Sequence, residues 1–419
     1  MASQRALSIV FFARPRDDKI TVDTSATPEV LLEHNIKLAD KLSAQKKYSS
    51  VIKIRVKCVA LSRIVYGDDD WHYSKSILLL AKAYHEHGGR HAQVISHAST
   101  CRDMLMRLQK GSNDLPVEVI KTLCYSHYLI GQSHLGEGLN ADAEKAFLLA
   151  TNVMQHCCKL VGGPADVQLQ IKIANDLGKS YMLQKKVEKA KQTLQENLEF
   201  VEETFGADNT EAIPILHSLA MVAQLNSEYS KAVKLLKTAH SVTVHHYGSK
   251  SINMAASSQL LAGGYLLLWK HGDTELVGDT RQLMEESLQV YQQLSGPKDV
   301  NTLKCHKEYC RLLVLLEEHH EAVSQLEQLI SLEMETYGDY SLEVGKSYQL
   351  LGTIKLSMGD IAQANRSFSQ CQQIYQTVLG SRHRETQAVM ATLETLQLHD
   401  KATGKVGSQS EKPRFRTVV

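Results

Sequence analysis

The sequence predicts an all-α protein, an α-solenoid of stacked helical hairpins. Three observations predict it. Small residues recur at a spacing that suits closely packed helices. Aromatic-glycine pairs recur at the same period. Proline mostly avoids the periodic stretches: the 419 residues include only 7 prolines, and a proline inside a helix removes a hydrogen bond and breaks it. Apolar residues make up 43% of the chain, enough to bury a continuous core.

The spacing is clearest at Leu177-Gly178-Lys179-Ser180-Tyr181, where Ala190 follows Gly178 by 12 residues and Leu194 follows by 16. This is the skeleton of a tetratricopeptide hairpin. The first small residue lies where the two helices of a hairpin approach closely. The second lies where the second helix meets the first helix of the next hairpin. Only Gly, Ala or Ser permit such contact without pushing neighbours off their rotamers. First anchors stand at Ala39, Ala81, Gly131, Gly178, Ala220, Ala262, Cys310 and Gly352, with steps of 42, 50, 47, 42, 42, 48 and 42 residues.

Eight hairpins follow, with insertions near 109–115, 159–165 and 271–280. The first two hairpins are the least regular, as terminal repeats tend to be. Val51 stands where a small residue is expected, and Ala92 is one position early. A final helix over about 383–398 (HRETQAVMATLETLQL) caps the last apolar face. The chain therefore divides into a flexible N-terminal arm (1–27), the repeat array (28–398) and a disordered basic tail (399–419).

The joints between hairpins carry the second mark. Tyr66-Gly67, Phe205-Gly206, Tyr247-Gly248, Tyr337-Gly338 and Leu379-Gly380 each close a second helix. Glycine there can adopt the left-handed conformation that ends a helix, and the preceding aromatic or Leu can cover the joint.

Composition excludes several function classes. Lys and Arg number 47 against 46 Asp and Glu, so no general attraction to nucleic acid or an anionic membrane is expected. The 8 cysteines form no C-x-x-C pair and read as small buried residues of a reducing compartment. Residues 6–13 (ALSIVFFA), between Arg5 and Arg14, are too short for a membrane span and read as an arm or docking segment rather than a secretory leader. The expectation is an intracellular, cytoplasmic protein without membrane insertion.

No enzyme is expected, and no cofactor or metal. His85, Glu86, His87 and His91 crowd one turn, but Gly89 stands where a zincin helix needs its second His. They read as a solvated loop. His245-His246 and His319-His320 are sequence neighbours and should point in different directions. Gly131, Gly136 and Gly138 lack the Lys-Ser/Thr of a phosphate loop. Cys157-Cys158 reads as packing.

Partner binding is expected on the first helix of each hairpin, which lines the concave groove of a tetratricopeptide array. Lining positions fall about six and three before the anchor and one and four after it. Around Cys310 these are Lys304, Lys307, Arg311 and Val314, and Lys346 is the first of them in the next repeat. Lys304, Lys307, Arg311 and Lys346 are thus the predicted receiver of an acidic or carboxylate-bearing segment. Lys172 and Lys179, with Asp176 nearby, hold equivalent positions in the fourth repeat. A chaperone-type carboxylate clamp needs repeated Lys and Asn, and only Asn175 fits, so chaperone tails are not the expected ligand. The terminal Thr417-Val418-Val419 has the form of a PDZ ligand.

The 42-residue period and aromatic-Gly-Asp joints resemble the kinesin light chain type of repeat. That family carries a heptad coiled coil before its repeats, and residues 1–27 show none; this sets a cargo or complex adaptor behind the other readings. The run Cys58-Val59-Ala60-Leu61-Ser62-Arg63-Ile64-Val65-Tyr66-Gly67-Asp68, followed by Trp71, resembles the first repeat of the tetratricopeptide repeat protein 23 family, including its 23-like relative. Ile213-Pro214-Ile215-Leu216 and Tyr337-Gly338-Asp339 through Leu351-Gly352 agree more loosely. The resemblance implies a ciliary component that supports Hedgehog signalling within a complex of ciliary scaffold proteins. The alternative is a structural protein bound along axonemal microtubules.

Overall fold

The computed structural model describes residues 27–111, 115–271 and 277–403. Among the described residues there are 17 helices and no strand. They run as α1 (Pro28–Ala44), α2 (Tyr48–Tyr66), α3 (Trp71–His87), α4 (His91–Gly111), α5 (Val117–Gly136), α6 (Asn140–Val161), α7 (Val167–Leu183) and α8 (Val187–Phe205). They continue as α9 (Ala212–Leu225), α10 (Tyr229–Tyr247), α11 (Ile252–Lys270), α12 (Val277–Leu294), α13 (Val300–Leu315), α14 (His319–Tyr337), α15 (Leu342–Ser357), α16 (Ile361–Val378) and α17 (Arg384–Thr403). Paired in order these are eight hairpins followed by one further helix, so the all-α tetratricopeptide class holds. The chain forms two compact units, one ending at Asp176 and one beginning at Leu177.

In the first unit the core gathers Ile77, Ala81, Val94, Ala98, Cys101 and Leu105 with Val119, Leu123 and Leu129. Gly131 lies against the Phe147 ring, where an added Cβ would come within 2.6 Å. The irregular second hairpin has a structural cause. Ala92 is exposed, and the buried residues of α4 are Val94, Ala98, Cys101 and Leu105. The Gly88-Gly89 turn, with both residues at positive φ, displaces the register. Part of the long steps is absorbed in helix: α4 has 21 residues and α6 has 22, against 19 in α2.

In the second unit Gly178 meets Leu194 (2.6 Å from a virtual Cβ) and Gly352 meets Phe368 (3.0 Å). The anchors Ala220, Ala262 and Cys310 are buried, as are Ala190, Ala232, Ala322 and Ala364 twelve residues after their first anchors. Val389, Leu393 and Leu396 of α17 join the same core as Phe368 and Tyr375.

Two kinds of turn connect the helices. Within hairpins, Lys46, Lys185, Ser227 and Glu317 take φ of 58–60°. The residue after each donates its N–H to a carbonyl five residues back, as Glu228 does to Ala223 (2.8 Å) and Glu318 to Leu313 (2.9 Å). This is the bond pattern of a Schellman motif. Between hairpins, Gly67, Gly206, Gly248 and Gly338 have φ of 78–89° but ψ of 159–176°. That differs from the expected left-handed helical cap. Positive φ with extended ψ is a region open essentially to glycine alone. The aromatics before these glycines do not seal the joints: Tyr66, Phe205, Tyr247 and Tyr337 remain 37–46% exposed.

One register position, five residues before both the joint glycine and the next anchor, meets its counterpart across two of the joints. It is filled by Ser62 and Ser76 in the first unit, whose hydroxyls lie 3.0 Å apart. In the second unit Glu333 and Ser347 occupy it, with the Ser347 hydroxyl donating to Glu333 Oε2 at 2.7 Å. This buried carboxylate organises the candidate site.

Candidate protein-binding face

Helix α13 starts at Asp299, whose side chain accepts from the Asn301 amide at 2.9 Å. It is wedged between neighbours by charge. Arg281 of α12 pairs with Glu285 (2.8 Å), with Glu321 (3.0 Å) and with Glu318. Tyr309 of α13 donates to Glu285 at 2.7 Å. These bonds hold the Glu285 carboxyl below its ordinary range, the Arg281 hydrogen bond contributing most. Such a bracket, with a rigid helix inside it, fixes which face of α13 looks outward.

The inward face carries Leu303, Cys305, His306, Tyr309, Cys310, Leu312 and Leu313, all buried. Burial pushes the Cys310 thiol up to about 12, so this cysteine is a packing residue and no nucleophile. The outward face carries Asn301, Lys304, Glu308 and Arg311, all exposed. Their spacing of three, four and three residues is one helical stripe.

The structure separates the four predicted cations. Lys307 leaves the stripe. Its side chain is 10% exposed, and its ammonium sits 2.8 Å from Glu333 and 3.0 Å from Glu343. It also donates to the Glu343 carbonyl at 3.3 Å. Lys346 is half-buried and pairs with the other oxygen of Glu343 at 3.0 Å. Burial pushes the Glu343 carboxyl up, but the hydrogen bonds and charges of the two lysines outweigh it, so the group titrates below its ordinary range. Arg311 stays exposed and pairs with Glu308 at 2.6 Å. Lys304 is exposed.

Lys307, Glu333, Ser347 and Glu343 thus staple α13, α14 and α15. Helical arithmetic could not find Glu333, Ser347 or Glu343. The signal that could have was the register: a Glu at the joint position filled by Ser62 and Thr243 elsewhere requires a buried cation.

Equivalent outward positions on α9 and α11, the two first helices before α13, are uncharged. Met221 and Leu225 on α9 are 54% and 57% exposed, and Leu260 on α11 is 45% exposed. Met221 and Gly263 match Arg311 in register, and Leu260 matches Glu308. The outward surface therefore passes from apolar on α9 and α11 to charged on α13.

Other predicted residues fall as follows. In the first unit Lys172 is exposed and Asn175 and Asp176 are buried, with Tyr128 donating to Asp176 at 3.0 Å and Gln132 also bonded to it. Lys179, in the second unit, is half-buried. The His85–His91 cluster is half-buried rather than solvated: His87 contacts Ser49 (3.1 Å), and His91 packs where Gly136 lacks a Cβ. His245 and His246 do not diverge. Both rings turn to Asp208, because residues in a last helical turn face a loop rather than two sides of a helix. Thr417-Val418-Val419 and the arm at 6–13 lie outside the described residues. Among those described, no helix is long and apolar enough to cross a membrane.

Repeated two-helix units with small-residue contacts define the class of fold: an α-solenoid of the tetratricopeptide type. The sequence model of the tetratricopeptide repeat family matches residues 169–243. The chain is 25% identical to tetratricopeptide repeat protein 23 of Homo sapiens over 386 residues, which covers 91% of this chain and 85% of that protein. It is 25% identical to tetratricopeptide repeat protein 23-like of Mus musculus over 388 residues, covering 91% and 83%. The resemblance first read at Cys58–Asp68 thus extends over most of the chain. Among solved structures, the STAND signal-transduction ATPase with a tetratricopeptide repeat sensor from Pyrococcus horikoshii superposes with a TM-score of 0.54 at 12% identity. That match covers 83% of this chain and 50% of the other, and it speaks to the fold alone. A protein-interaction scaffold is the function class to which fold and relatives point.

Proposed function

We propose that the chain is a non-catalytic scaffold that receives a partner segment on the outward faces of α9, α11 and α13. The observation that carries this reading is the passage from exposed Met221 and Leu260 to exposed Arg311 and Glu308 at matched register, with exposed Leu225 and Lys304 extending the apolar and charged parts. An acidic segment bearing apolar side chains suits such a surface: apolar contact gives affinity, and the cations set orientation. Lys346 is the rim of this surface, and Lys307 holds its supporting wall. Likeness to the tetratricopeptide repeat protein 23 family supports a ciliary setting, with a role in Hedgehog signalling through a complex of scaffold proteins.

The second reading is an axonemal structural protein held by tubulin's acidic surface. It needs an excess of positive charge on the face. On the face itself Lys304, Arg311 and Lys346 stand against Glu308 and Glu343, a small excess beside the apolar α9 and α11, which favours the first reading. A cargo or complex adaptor stands behind both.

Proximity labelling in ciliated cells tests the proposal. The wild type should label a limited set of proteins in a zone near the ciliary base. K304E/R311E and M221D/L225D should each lose part of that set. An identical set from all three chains would sink the proposed face, and labelling along the whole axoneme would favour the microtubule reading.

A further inference from the structure

We infer that Asp208, His245 and His246 form a binding site for a divalent transition metal ion, with zinc the best suited. The three residues come from two neighbouring elements of the second unit. Asp208 lies in the joint after Gly206 that leads into α9. His245 and His246 occupy the last turn of α10, just before Gly248.

The geometry is close to that of a ligand set. His245 Nε2 stands 3.5 Å from Asp208 Oδ2, and His246 Nε2 stands 3.8 Å from Oδ1. One ligand atom from each residue can be chosen so that all lie within 4.8 Å of one another. Zinc holds nitrogen and carboxylate oxygen at about 2.0–2.1 Å, so the edges of its tetrahedron are about 3.3–3.5 Å. The 3.5 Å and 3.8 Å separations are near such an edge, and side-chain rotation at these exposed positions brings the remaining ligand atoms, within 4.8 Å, to the ion. The imidazoles stand at 85° to each other with centroids 5.1 Å apart, so they approach a common point from different directions rather than stacking.

Position and chemistry agree with this. The C-terminal end of a helix carries partial negative charge, which favours a cation. Two imidazoles and a carboxylate suit zinc, copper or nickel, whereas calcium and magnesium prefer oxygen alone. All three side chains are accessible: those of His245, His246 and Asp208 are 69%, 34% and 59% exposed. A hydrated ion can therefore enter and retain water in its open position. The loop is held independently, since the Asn209 side chain accepts from the Glu211 amide at 2.8 Å. One bond must be exchanged. His246 Nε2 lies 2.8 Å from the Asp208 carbonyl, and binding moves its proton to Nδ1 and leaves Nε2 free as a ligand. The bound ion would tie the end of α10 to the joint before α9, clamping the two ends of the fifth hairpin.

The full chain, stripped with a chelator and carrying no affinity-tag histidines, is titrated with zinc chloride by calorimetry, and its melting temperature is followed with and without zinc. The expected result is one zinc per chain and a zinc-dependent rise in melting temperature, as mass action requires. H245Q, H246Q and D208N should each weaken binding at least about 10-fold, which matches the loss of one of three ligands. They should also abolish the rise. These positions are exposed, and circular dichroism verifies the fold. H87Q/H320Q, which removes histidines elsewhere, should change neither readout. Absence of one-to-one binding below millimolar zinc overturns the assignment. So does binding that survives in H245Q/H246Q, or binding lost only in H87Q/H320Q.

Discussion

The two sides of α13 carry the same residue type in opposite roles. On the seam toward α14 and α15, Lys307 lies between Glu333 and Glu343 with its side chain 10% exposed. On the outward face three residues earlier, Lys304 is exposed. One lysine completes the interior and the other is available to a partner. The difference teaches that charge on a repeat helix has no fixed meaning. The register of the neighbouring helix decides it.

The largest effect should come from breaking the seam. Lys307→Ala leaves the Glu333 carboxylate buried with only the Ser347 hydroxyl, and this should cost about 3–5 kcal/mol. Urea unfolding of the full chain measures it. Lys304→Ala should stay within about 0.5 kcal/mol of wild type, as surface substitutions do. Equal losses from both would erase the distinction. K307M/E333L should recover much of the loss, because two apolar side chains can replace a buried pair.

The same contrast can be drawn in the backbone. Gly338→Ala meets no atom within 4 Å of its Cβ, yet φ is +86° and ψ is 159°. It should lose about 1–3 kcal/mol from conformational strain alone. Glu317, in the other kind of turn, already sits at φ 60° as a non-glycine residue. Glu317→Gly should gain about 0.5–1 kcal/mol by relieving that strain. Unfolding curves that move in the same direction for both would mean the two turns are one kind.

Buried and exposed histidines extend the comparison to pH. Burial holds His127 and His217 down to about 4, from an ordinary 6.5. Between these values the unfolded chain takes up protons that the folded chain refuses. Their contribution is therefore whole above pH 6.5 and falls as pH drops toward 4. At pH 5 the loss should be about 2 kcal/mol for each, at 1.36 kcal/mol per unit. His127→Phe should flatten the pH dependence of the first unit, read as the difference between urea midpoints at pH 7.5 and pH 5. His320→Phe, at an exposed position, should not.

Much of this fold was legible because it rests on local facts. Gly131, Gly178 and Gly352 are small because Phe147, Leu194 and Phe368 occupy the space a Cβ would take, and the spacing repeats. The site was less legible because its decisive contacts are not local. Lys304 and Lys307 are about 60° apart around a helix, close enough to share a face on paper. Glu333, fixed by the α14–α15 joint, draws one of them inward. His245 and His246 diverge in an ideal helix, but in a final turn both reach Asp208, 37 and 38 residues earlier. The joint glycines were recognised, but a glycine in a sequence does not reveal which positive-φ conformation it adopts.

The smallest effect on stability should accompany the largest effect on binding. K304E/R311E changes two exposed residues. Arg311 loses only a surface pair with Glu308, and such pairs contribute about 0–1 kcal/mol. The unfolding midpoint should therefore hardly move. Capture of an acidic partner segment should fall, and most steeply at low salt, where exposed charges act at longer range. K307A should show the reverse: a large stability loss, with binding retained at temperatures where the seventh and eighth hairpins remain folded. If K307A and K304E/R311E lose binding in proportion to lost stability, the outward face is no more than a solvated surface. If the two measures separate, the two sides of α13 have separate functions.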